Sequence, residues 1–445
     1  MSKLVAASRP PAELLLRSAH VIDPNAGIDG AHDVLVRDGE IAEIGAPSSL
    51  QAPAGAQVVE AEGKHLFPAF VDPHVHLRTP GQEHKEDLET GTRAAAAGGY
   101  CAVVAMPNTD PVLDHPALLR GLLMEAQRDA RVPVGFMAAI SMGLAGERLS
   151  EMSELRDVGA VGFTDDGKPV ADAGLLRHAF RYQRLCGGVL ALHEEDRALS
   201  GAGVMHEGAV SVELGLAGIP SISESTMIAR DALIAGHEQA RVHFQHLSAA
   251  SSVDALAAAR ARGTRASGEA TPHHLLLTDE EVRALDSNFK MNPPLRTQAD
   301  RAALVQALRE GTIECIATDH APHSLDEKNV PFEQAPMGTT GLECSFAVLY
   351  TELVLPGVIG LEVLLERLTA GARLLDLDVP TIAVGRSANV CLIDLEAHWT
   401  IGEAGYESRS SNCCFAGREV RGRNLLTLAD GAVAYRERAF ALSAA

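Results

Sequence analysis

Eight short apolar runs, each ending in a cluster of polar residues, constrain the fold more than any other feature of the chain. The runs cover residues 67–71, 101–105, 134–139, 160–163, 188–191, 241–244, 264–268 and 312–317. Patterns typical of helices lie between them, at residues 116–131, 173–186, 223–237, 253–262 and 298–310. Such alternation predicts a parallel sheet, and eight consecutive units predict a (β/α)8 barrel. The polar strand ends of this fold meet at one face, where we expect the functional site.

The two ends of the chain have a different pattern, in which short strand-like segments are separated by turns. Candidate strands cover residues 13–17, 20–23, 33–44, 388–395, 424–427 and 432–435. Asp430-Gly431 is a turn signal of the kind that joins two antiparallel strands. We therefore predict an α/β protein with two domains. They are a barrel over residues 66–375 and one small discontinuous β-sandwich built from residues 1–65 and 376–445.

Composition disfavours several classes of partner. The 445 residues carry a formal net charge of −21, whereas nucleic acids and anionic membranes bind to basic patches. A small anionic substrate remains compatible with this net charge, since a few arginines and metal ions can make a single pocket positive. No apolar run approaches the roughly 20 residues that span a bilayer, and the N-terminus lacks the apolar core of a signal peptide. We expect a cytoplasmic protein with a small-molecule substrate.

Histidine and aspartate residues at the predicted strand ends indicate a metal site. His74 and His76 follow the first strand, and side chains two residues apart on a strand point the same way. The fourth, fifth, sixth and eighth strands end in Asp166, His193, His246 and Asp319. Imidazole and carboxylate ligands of this kind suit zinc. Six of them around one barrel mouth predict two Zn²⁺ ions about 3.5–4 Å apart, as in two-metal hydrolases.

Five sequence motifs resemble those of one known family. Residues 70–78 (FVDPHVHLR) and 317–323 (ATDHAPH) are similar to the two signatures of the bacterial long-chain dihydroorotases, within the amidohydrolase superfamily. Residues 106–109 (MPNT), 290–296 (KMNPPLR) and 336–343 (PMGTTGLE) resemble the substrate and loop motifs of the same family. The resemblance extends over nearly the whole chain, and the five motifs together are far more specific than any one alone.

The resemblance also implies how the two metals are bridged. Many relatives use a carbamylated lysine on the fourth strand, whereas the long-chain dihydroorotases have an aspartate there. We assign this role to Asp166 in preference to Asp165. Lys168 is the nearest lysine, but it lies past the strand end, which disfavours a carbamylated lysine here. His273 and His274 match a pattern that relatives do not use for metal binding, so we expect them to support or pack against the site.

The activity that the resemblance implies is the reversible cyclisation of N-carbamoyl-L-aspartate to L-dihydroorotate in pyrimidine (UMP) biosynthesis. In the hydrolytic direction, Asp319 takes a proton from the attacking hydroxide and gives it to the departing ring nitrogen. The substrate carboxylates need cationic and amide donors. The predicted substrate-binding residues are Arg78, Asn108, Asn292, His323, Met337 and Gly338. We interpret the long charged loop over residues 323–338 as a lid.

The sequence leaves two other kinds of function open. Hydantoinases and allantoinases share the barrel and the metal chemistry, but Arg78, Asn108 and residues 292–296 favour a dihydroorotase. The second alternative is a non-catalytic scaffold partner of aspartate transcarbamoylase. Such scaffolds have lost metal ligands, whereas this chain keeps all six. The sequence is also compatible with a homodimer, and with an active enzyme that associates with aspartate transcarbamoylase.

Overall fold

The middle of the chain forms a parallel barrel, and its two ends form a separate sheet. The computed structural model describes residues 4–440 and the backbone of residues 443 and 444. In this part of the chain the strands are β1 (Leu14–Asp23), β2 (Ile28–Arg37), β3 (Glu40–Gly45), β4 (Gln57–Glu60), β5 (His65–Pro68), β6 (Phe70–Val75), β7 (Tyr100–Ala105), β8 (Val134–Ala138), β9 (Gly162–Phe163), β10 (Val189–Leu192), β11 (Met205–His206), β12 (Gly218–Ile219), β13 (Arg241–Phe244), β14 (Arg265–Ala270), β15 (Cys315–Ile316), β16 (Val390–Thr400), β17 (Glu419–Ala429), β18 (Ala432–Arg436) and β19 (Ser443–Ala444).

The helices cover the outside of the barrel and its connecting loops. Those described are α1 (Leu88–Ala97), α2 (Pro116–Asp129), α3 (Met152–Val158), α4 (Ala173–Cys186), α5 (Arg197–Ser200), α6 (Ala209–Leu214), α7 (Ile222–Glu238), α8 (Ala250–Ala261), α9 (Pro272–Leu276), α10 (Gln298–Glu310), α11 (Leu325–Lys328), α12 (Ser345–Leu349), α13 (Leu361–Thr369) and α14 (Gly371–Leu374). Among these helices, none is both long and apolar enough to cross a lipid bilayer.

The barrel strands follow one another in the order β6-β7-β8-β9-β10-β13-β14-β15, and all neighbouring pairs are parallel. The first and last strands meet at the mouth, where the His76 amide donates to the His320 carbonyl at 2.8 Å. Beneath this contact, the buried Asp72 carboxylate accepts a hydrogen bond from the Thr318 hydroxyl at 2.6 Å. These contacts bring the two ends of the sheet together, and the predicted (β/α)8 barrel is confirmed.

Local chemistry explains where several helices begin and end. Asp172 caps α4 by accepting from the Leu175 amide at 2.7 Å. The Thr297 hydroxyl and the Asp300 carboxylate form a capping box at the start of α10. Gly311 ends α10 with φ 87°, in the left-handed region that favours glycine. Both helices therefore have the bounds that their sequence patterns predict.

The first barrel strand lies further along the chain than predicted. It runs from Phe70 to Val75, whereas residues 65–68 form β5, which pairs with β1 and β16 of the other sheet. Pro68 has no N–H to donate, so it is a natural place for the chain to leave one sheet before entering the next. The shift places His74 inside the strand and His76 directly after it.

The end sheet has the strand order β18-β17-β16-β5-β1-β2-β3, with β4 beside β1 and β19 beside β4. Asp430 and Gly431 join β17 to β18 with φ values of 49° and 73°, as a two-residue type I′ turn requires. The sheet packs on the outside of the barrel through Phe346, which lies 5.9 Å from Phe67 and 5.6 Å from Phe70 between ring centroids. The division into domains after residues 65 and 375 stays a prediction.

Candidate active site

Six histidine and aspartate side chains converge at the mouth of the barrel. They are the residues proposed from the strand ends: His74, His76, Asp166, His193, His246 and Asp319. They come from β6 and from the loops that follow β6, β9, β10, β13 and β15. Parallel strands of a barrel all present their carboxyl ends to one face, which explains how residues distant in sequence become neighbours.

Asp166 lies between two pairs of histidines. Its Oδ1 atom is 3.5 Å from His74 Nε2, and its Oδ2 atom is 3.5 Å from His76 Nε2. On its other side, His193 Nδ1 and His246 Nε2 are each 3.7 Å from Oδ1. Asp319 joins the first pair, with its Oδ1 atom 2.9 Å from His76 Nε2. The six side chains therefore form two groups that share one carboxylate.

The donor set fits metal ions. His74 Nε2 is buried and has no hydrogen-bond partner within the described residues. His193 Nδ1 and His246 Nε2 face each other at 2.9 Å, a separation at which two ring nitrogens need either a shared proton or a common ion. Imidazole nitrogens and carboxylate oxygens are ligands that divalent metals such as zinc accept.

Hydrogen bonds behind the site orient three of the histidine rings. The Glu269 carboxylate is 2.7 Å from His74 Nδ1, so that the Nε2 atom of this ring faces Asp166. Asn108 Oδ1 is 2.9 Å from His76 Nδ1. Glu195 Oε2 is 3.4 Å from His193 Nε2. Partners of this kind fix the tautomer of a metal-binding histidine and raise its basicity.

The two asparagines proposed to contact substrate lie beside these rings. Asn108 also donates from Nδ2 to Asp166 Oδ2 at 3.1 Å, so it connects His76 to the shared carboxylate. Asn292 donates from Nδ2 to Glu195 Oε2 at 3.0 Å and lies 3.4 Å from His193 Nε2. Both the oxygen and the nitrogen of the Asn108 side chain are thus hydrogen-bonded to members of the six-residue cluster.

Arg78 and the residues proposed from the eighth loop form a second cluster at the mouth. The Arg78 guanidinium donates from Nε to the Pro322 carbonyl at 3.1 Å, and its Nη2 atom is 3.4 Å from His323 Nε2. His323 Nε2 is in turn 2.9 Å from the Met337 carbonyl. Gly338 has φ 130°, and a Cβ atom placed there would lie 2.7 Å from the Ala321 side chain. A residue larger than glycine would therefore displace this part of the loop.

Three residues of the site have left-handed backbone conformations, although none is a glycine. The φ angles are 58° at Arg78, 33° at His246 and 47° at Asp319. Such conformations cost free energy for residues with a Cβ atom and are concentrated at functional sites. The surrounding hydrogen bonds therefore hold these side chains in directions that a relaxed strand end would not give them.

Burial and charge shift the pKa values of the cluster strongly. Burial opposes a charge on Asp166, but the neighbouring His74, His193 and His246 rings outweigh it and hold the pKa well below its usual range. Burial also opposes a charge on His74, but Asp166, Asp319 and Glu269 raise its pKa well above the usual value. The carboxylates thus stabilise positive charge at this position, whether it resides on a protonated ring or on a metal ion.

Arg78 and His323, in contrast to His74, both have lowered pKa values. Burial lowers the pKa of Arg78 to about 10, despite the attraction of Asp319 and Asp166. Burial, together with the positive charges of Arg78 and Lys328, lowers the pKa of His323 to about 3. Near neutral pH the pair therefore consists of a charged guanidinium and a neutral imidazole.

The three residues considered for the bridging role after the fourth strand, Asp165, Asp166 and Lys168, lie in different surroundings. Asp165 points away from the histidines and accepts hydrogen bonds from the Ile140 and Ser141 amides at 2.8 and 3.0 Å. Lys168 is exposed, in a turn closed by its amide and the Asp165 carbonyl. Asp166 is the residue of this segment that reaches the cluster.

Other residues of the site were not singled out from sequence. Glu269 and His243 form a buried pair, with 2.9 Å between Glu269 Oε2 and His243 Nε2, behind His74. His243 lies inside a predicted strand and Glu269 directly follows another, but no local pattern links the two. His274, which the sequence predicted to support or pack against the site, has its Nε2 atom 2.9 Å from the Pro293 carbonyl and so contacts the segment that carries Asn292.

Known proteins resemble this chain along most of its length. The family described as dihydro-orotase-like matches residues 63–253. The dihydroorotase of Geobacter metallireducens is 43% identical over 424 residues, which are 95% of this chain and 99% of that protein. The dihydroorotase of Anaeromyxobacter dehalogenans is 44% identical over 427 residues, with 95% and 98% covered.

Solved structures of hydantoinases have the same fold. The L-hydantoinase (dihydropyrimidinase) of Arthrobacter aurescens superposes with a TM-score of 0.84 at 24% identity, over 95% of this chain and 96% of that chain. The D-hydantoinase (dihydropyrimidinase) of a Thermus species gives a TM-score of 0.80 at 27% identity, over 97% of each chain. The identities to the dihydroorotases are far higher and extend over nearly the full length. The chain therefore belongs to the dihydroorotase family of cyclic amidohydrolases.

Proposed function

We propose that the chain catalyses the reversible cyclisation of N-carbamoyl-L-aspartate to L-dihydroorotate, with release of water. The observation that carries this proposal is the buried guanidinium of Arg78 beside the two-part histidine cluster. Within the described residues, no carboxylate lies within ion-pair distance of Arg78. Its charge is therefore free to bind a substrate carboxylate, through two parallel hydrogen bonds that a guanidinium alone among side chains can form.

The six clustered side chains are proposed to hold two Zn²⁺ ions. His74, His76 and Asp319 would hold one ion, His193 and His246 the other, and Asp166 both. When bound, such ions lower the pKa of water and polarise the reacting carbonyl. The Oδ2 atom of Asp166 accepts a hydrogen bond from Asn108. This bond fixes the orientation of the Asp166 carboxylate.

Asp319 is the residue best placed to move protons. Its side chain is 14% exposed, against 5% for Asp166, so it borders the open space of the mouth. In hydrolysis, an oxygen atom from water bonds to the ring carbonyl carbon, and Asp319 accepts the proton that this oxygen loses. Asp319 then delivers the proton to the ring nitrogen as the C–N bond breaks. Ring closure follows the same steps in reverse.

The remaining groups are proposed to select and orient the substrate. Arg78 binds a carboxylate, and neutral His323 offers a hydrogen-bonding nitrogen next to it. Asn292 and the backbone of Met337 and Gly338 complete the pocket wall. Hydantoin and allantoin carry no ring carboxylate, so they would leave the Arg78 charge buried without a partner, which is costly.

A direct comparison of substrates tests this proposal. L-dihydroorotate, hydantoin and allantoin are offered separately to the zinc-loaded chain, with elemental analysis of the same sample. We expect consumption of dihydroorotate and about two Zn²⁺ per chain. Preferential consumption of hydantoin or allantoin would assign the chain to another cyclic amidase, and a chain without metal or turnover would support the scaffold alternative.

Replacement of Asp319 tests the proton transfer. The Asp319→Asn variant keeps an oxygen ligand but cannot accept the proton, so turnover should fall by about 10²–10⁴-fold while most of the bound metal is retained. Elemental analysis and initial rates on one preparation measure both effects. Near-normal turnover of the fully loaded variant would remove Asp319 from the mechanism.

The cellular setting is part of the proposal as well. We propose that the protein works in the cytoplasm on a free small molecule. A homodimer and an association with aspartate transcarbamoylase are the two assemblies to test, by light scattering of the chain alone and in a mixture with that enzyme. A mass of 46.9 kDa for the chain alone would exclude the homodimer. A mixture with no species heavier than the two proteins measured separately would exclude the association.

A further inference from the structure

Two buried lysines lie behind the loop that carries Met337 and Gly338. Lys290 and Lys328 are 3% and 6% exposed, whereas lysine is among the residues least often buried without a charged partner. Within the described residues, neither ammonium group lies within 4 Å of a carboxylate. Both are instead hydrogen-bonded to backbone carbonyls.

The carbonyls that they bind lie close together along the loop. Lys290 donates from Nζ to the carbonyls of Glu333 and Ala335 at 2.9 and 2.8 Å. Lys328 donates from Nζ to the carbonyls of Pro336 and Gly338, both at 3.0 Å. The two ammonium groups therefore hold four carbonyls between residues 333 and 338.

Other contacts connect the same segment to the proposed substrate pocket. The Gly338 amide donates to the Lys290 carbonyl at 2.8 Å. Lys290 precedes Asn292 by two residues. Between the carbonyls held by Lys328 lies the Met337 carbonyl, which is 2.9 Å from His323 Nε2. Hydrogen bonds thus join the loop to the Arg78–His323 pair and to the chain segment that leads to Asn292.

The burial of two ammonium groups has an energetic cost, which suggests a role beyond simple packing. Burial and the charge of Lys290 lower the pKa of Lys328 to about 8. Burial likewise lowers the pKa of Lys290. Two methionine side chains of similar length would fill the same space without this cost, but they could not hold the carbonyls.

We propose that Lys290 and Lys328 are positioning residues, which hold the backbone of residues 333–338 in the conformation that completes the wall of the proposed substrate pocket. This inference rests on the proposed function for the identity of the substrate. The lysines touch the loop and not the reacting atoms, so their loss should weaken substrate binding more than the chemical step.

The test compares Lys290→Met and Lys328→Met with the wild-type chain. Hydrogen–deuterium exchange of the metal-loaded protein without substrate should become at least about tenfold faster in residues 333–338. The KM for L-dihydroorotate should rise by about tenfold or more, with kcat changed less than threefold. Lys328→Arg keeps a charged donor, so its KM should lie closer to the wild-type value than that of Lys328→Met. Lys64→Met is the matched control, because it removes a lysine that pairs with Asp394 in the end sheet.

Melting temperature and metal content identify variants that are only unstable. Should Lys328→Met not fold, Lys328→Gln replaces it, and the same two readouts decide. Unchanged exchange of residues 333–338, or an unchanged KM in folded methionine variants, would overturn the proposal. A wild-type chain without dihydroorotate turnover would overturn the proposed function, while the exchange data would still decide whether the lysines hold the loop.

Discussion

Glu269 offers a quantitative test of how the barrel orients its proposed metal ligands. This carboxylate is 1% exposed and lies 2.7 Å from His74 Nδ1 and 2.9 Å from His243 Nε2. It also accepts a hydrogen bond from the His246 amide at 3.2 Å. Two of the proposed metal ligands therefore depend on a residue outside the six proposed ligands.

Two substitutions should have graded effects on zinc affinity. In Glu269→Gln, the amide oxygen still accepts from His74, and His243 can accept from the new NH₂ group by moving its own proton to Nδ1, 2.8 Å from Ser267 Oγ. Only the charge is lost, so we expect about tenfold weaker zinc binding. Glu269→Leu removes every acceptor, so we expect zinc binding to be about 100-fold weaker. These factors correspond to about 1.4 and 2.7 kcal/mol.

The measurement is a zinc titration of metal-free protein in competition with a chromophoric chelator. It does not depend on catalysis, so a change in turnover cannot be mistaken for a change in binding. Glu213→Gln is the matched control, because Glu213 pairs with Arg283 and is 58% exposed on its side chain. Wild-type zinc affinity in both Glu269 variants, or weaker binding in the glutamine than in the leucine variant, would refute the reasoning.

Two further predictions concern substrate binding and pH. Arg78→Lys keeps the charge but loses the two-pronged donor, so the KM for dihydroorotate should rise about 10–100-fold; steady-state kinetics at equal zinc content measure it, and a change below twofold contradicts the assignment. Burial and the charge of Arg296 lower the pKa of His206 to about 4. Between pH 6.5 and 4 the unfolded chain therefore binds a proton that the folded chain excludes, and stability falls as pH falls by about 2–3 kcal/mol. Chemical denaturation at pH 7 and pH 4 should show a smaller loss in His206→Gln than in the wild type, and equal losses would argue against this role.

Much of the architecture follows from local sequence patterns. Apolar runs separated by helical patterns predict the barrel, and the Asp430-Gly431 pair predicts the turn between β17 and β18, because a two-residue hairpin needs positive φ at both positions. The metal-type residues were recognisable since barrel strands present their ends to one face. Each of these inferences depends on residues close together in the chain.

Contacts between residues distant in sequence were decided only by the tertiary structure. Neither the pairing of His74 with Glu269, 195 residues apart, nor the contact of Asn108 with both His76 and Asp166 leaves a local pattern. The same is true of Lys290 and Lys328, whose partners are backbone carbonyls that any sequence provides. Local patterns determine which side chains reach the barrel mouth, because strand geometry is local. How those side chains are oriented and held depends on hydrogen bonds that exist only after the strands have come together.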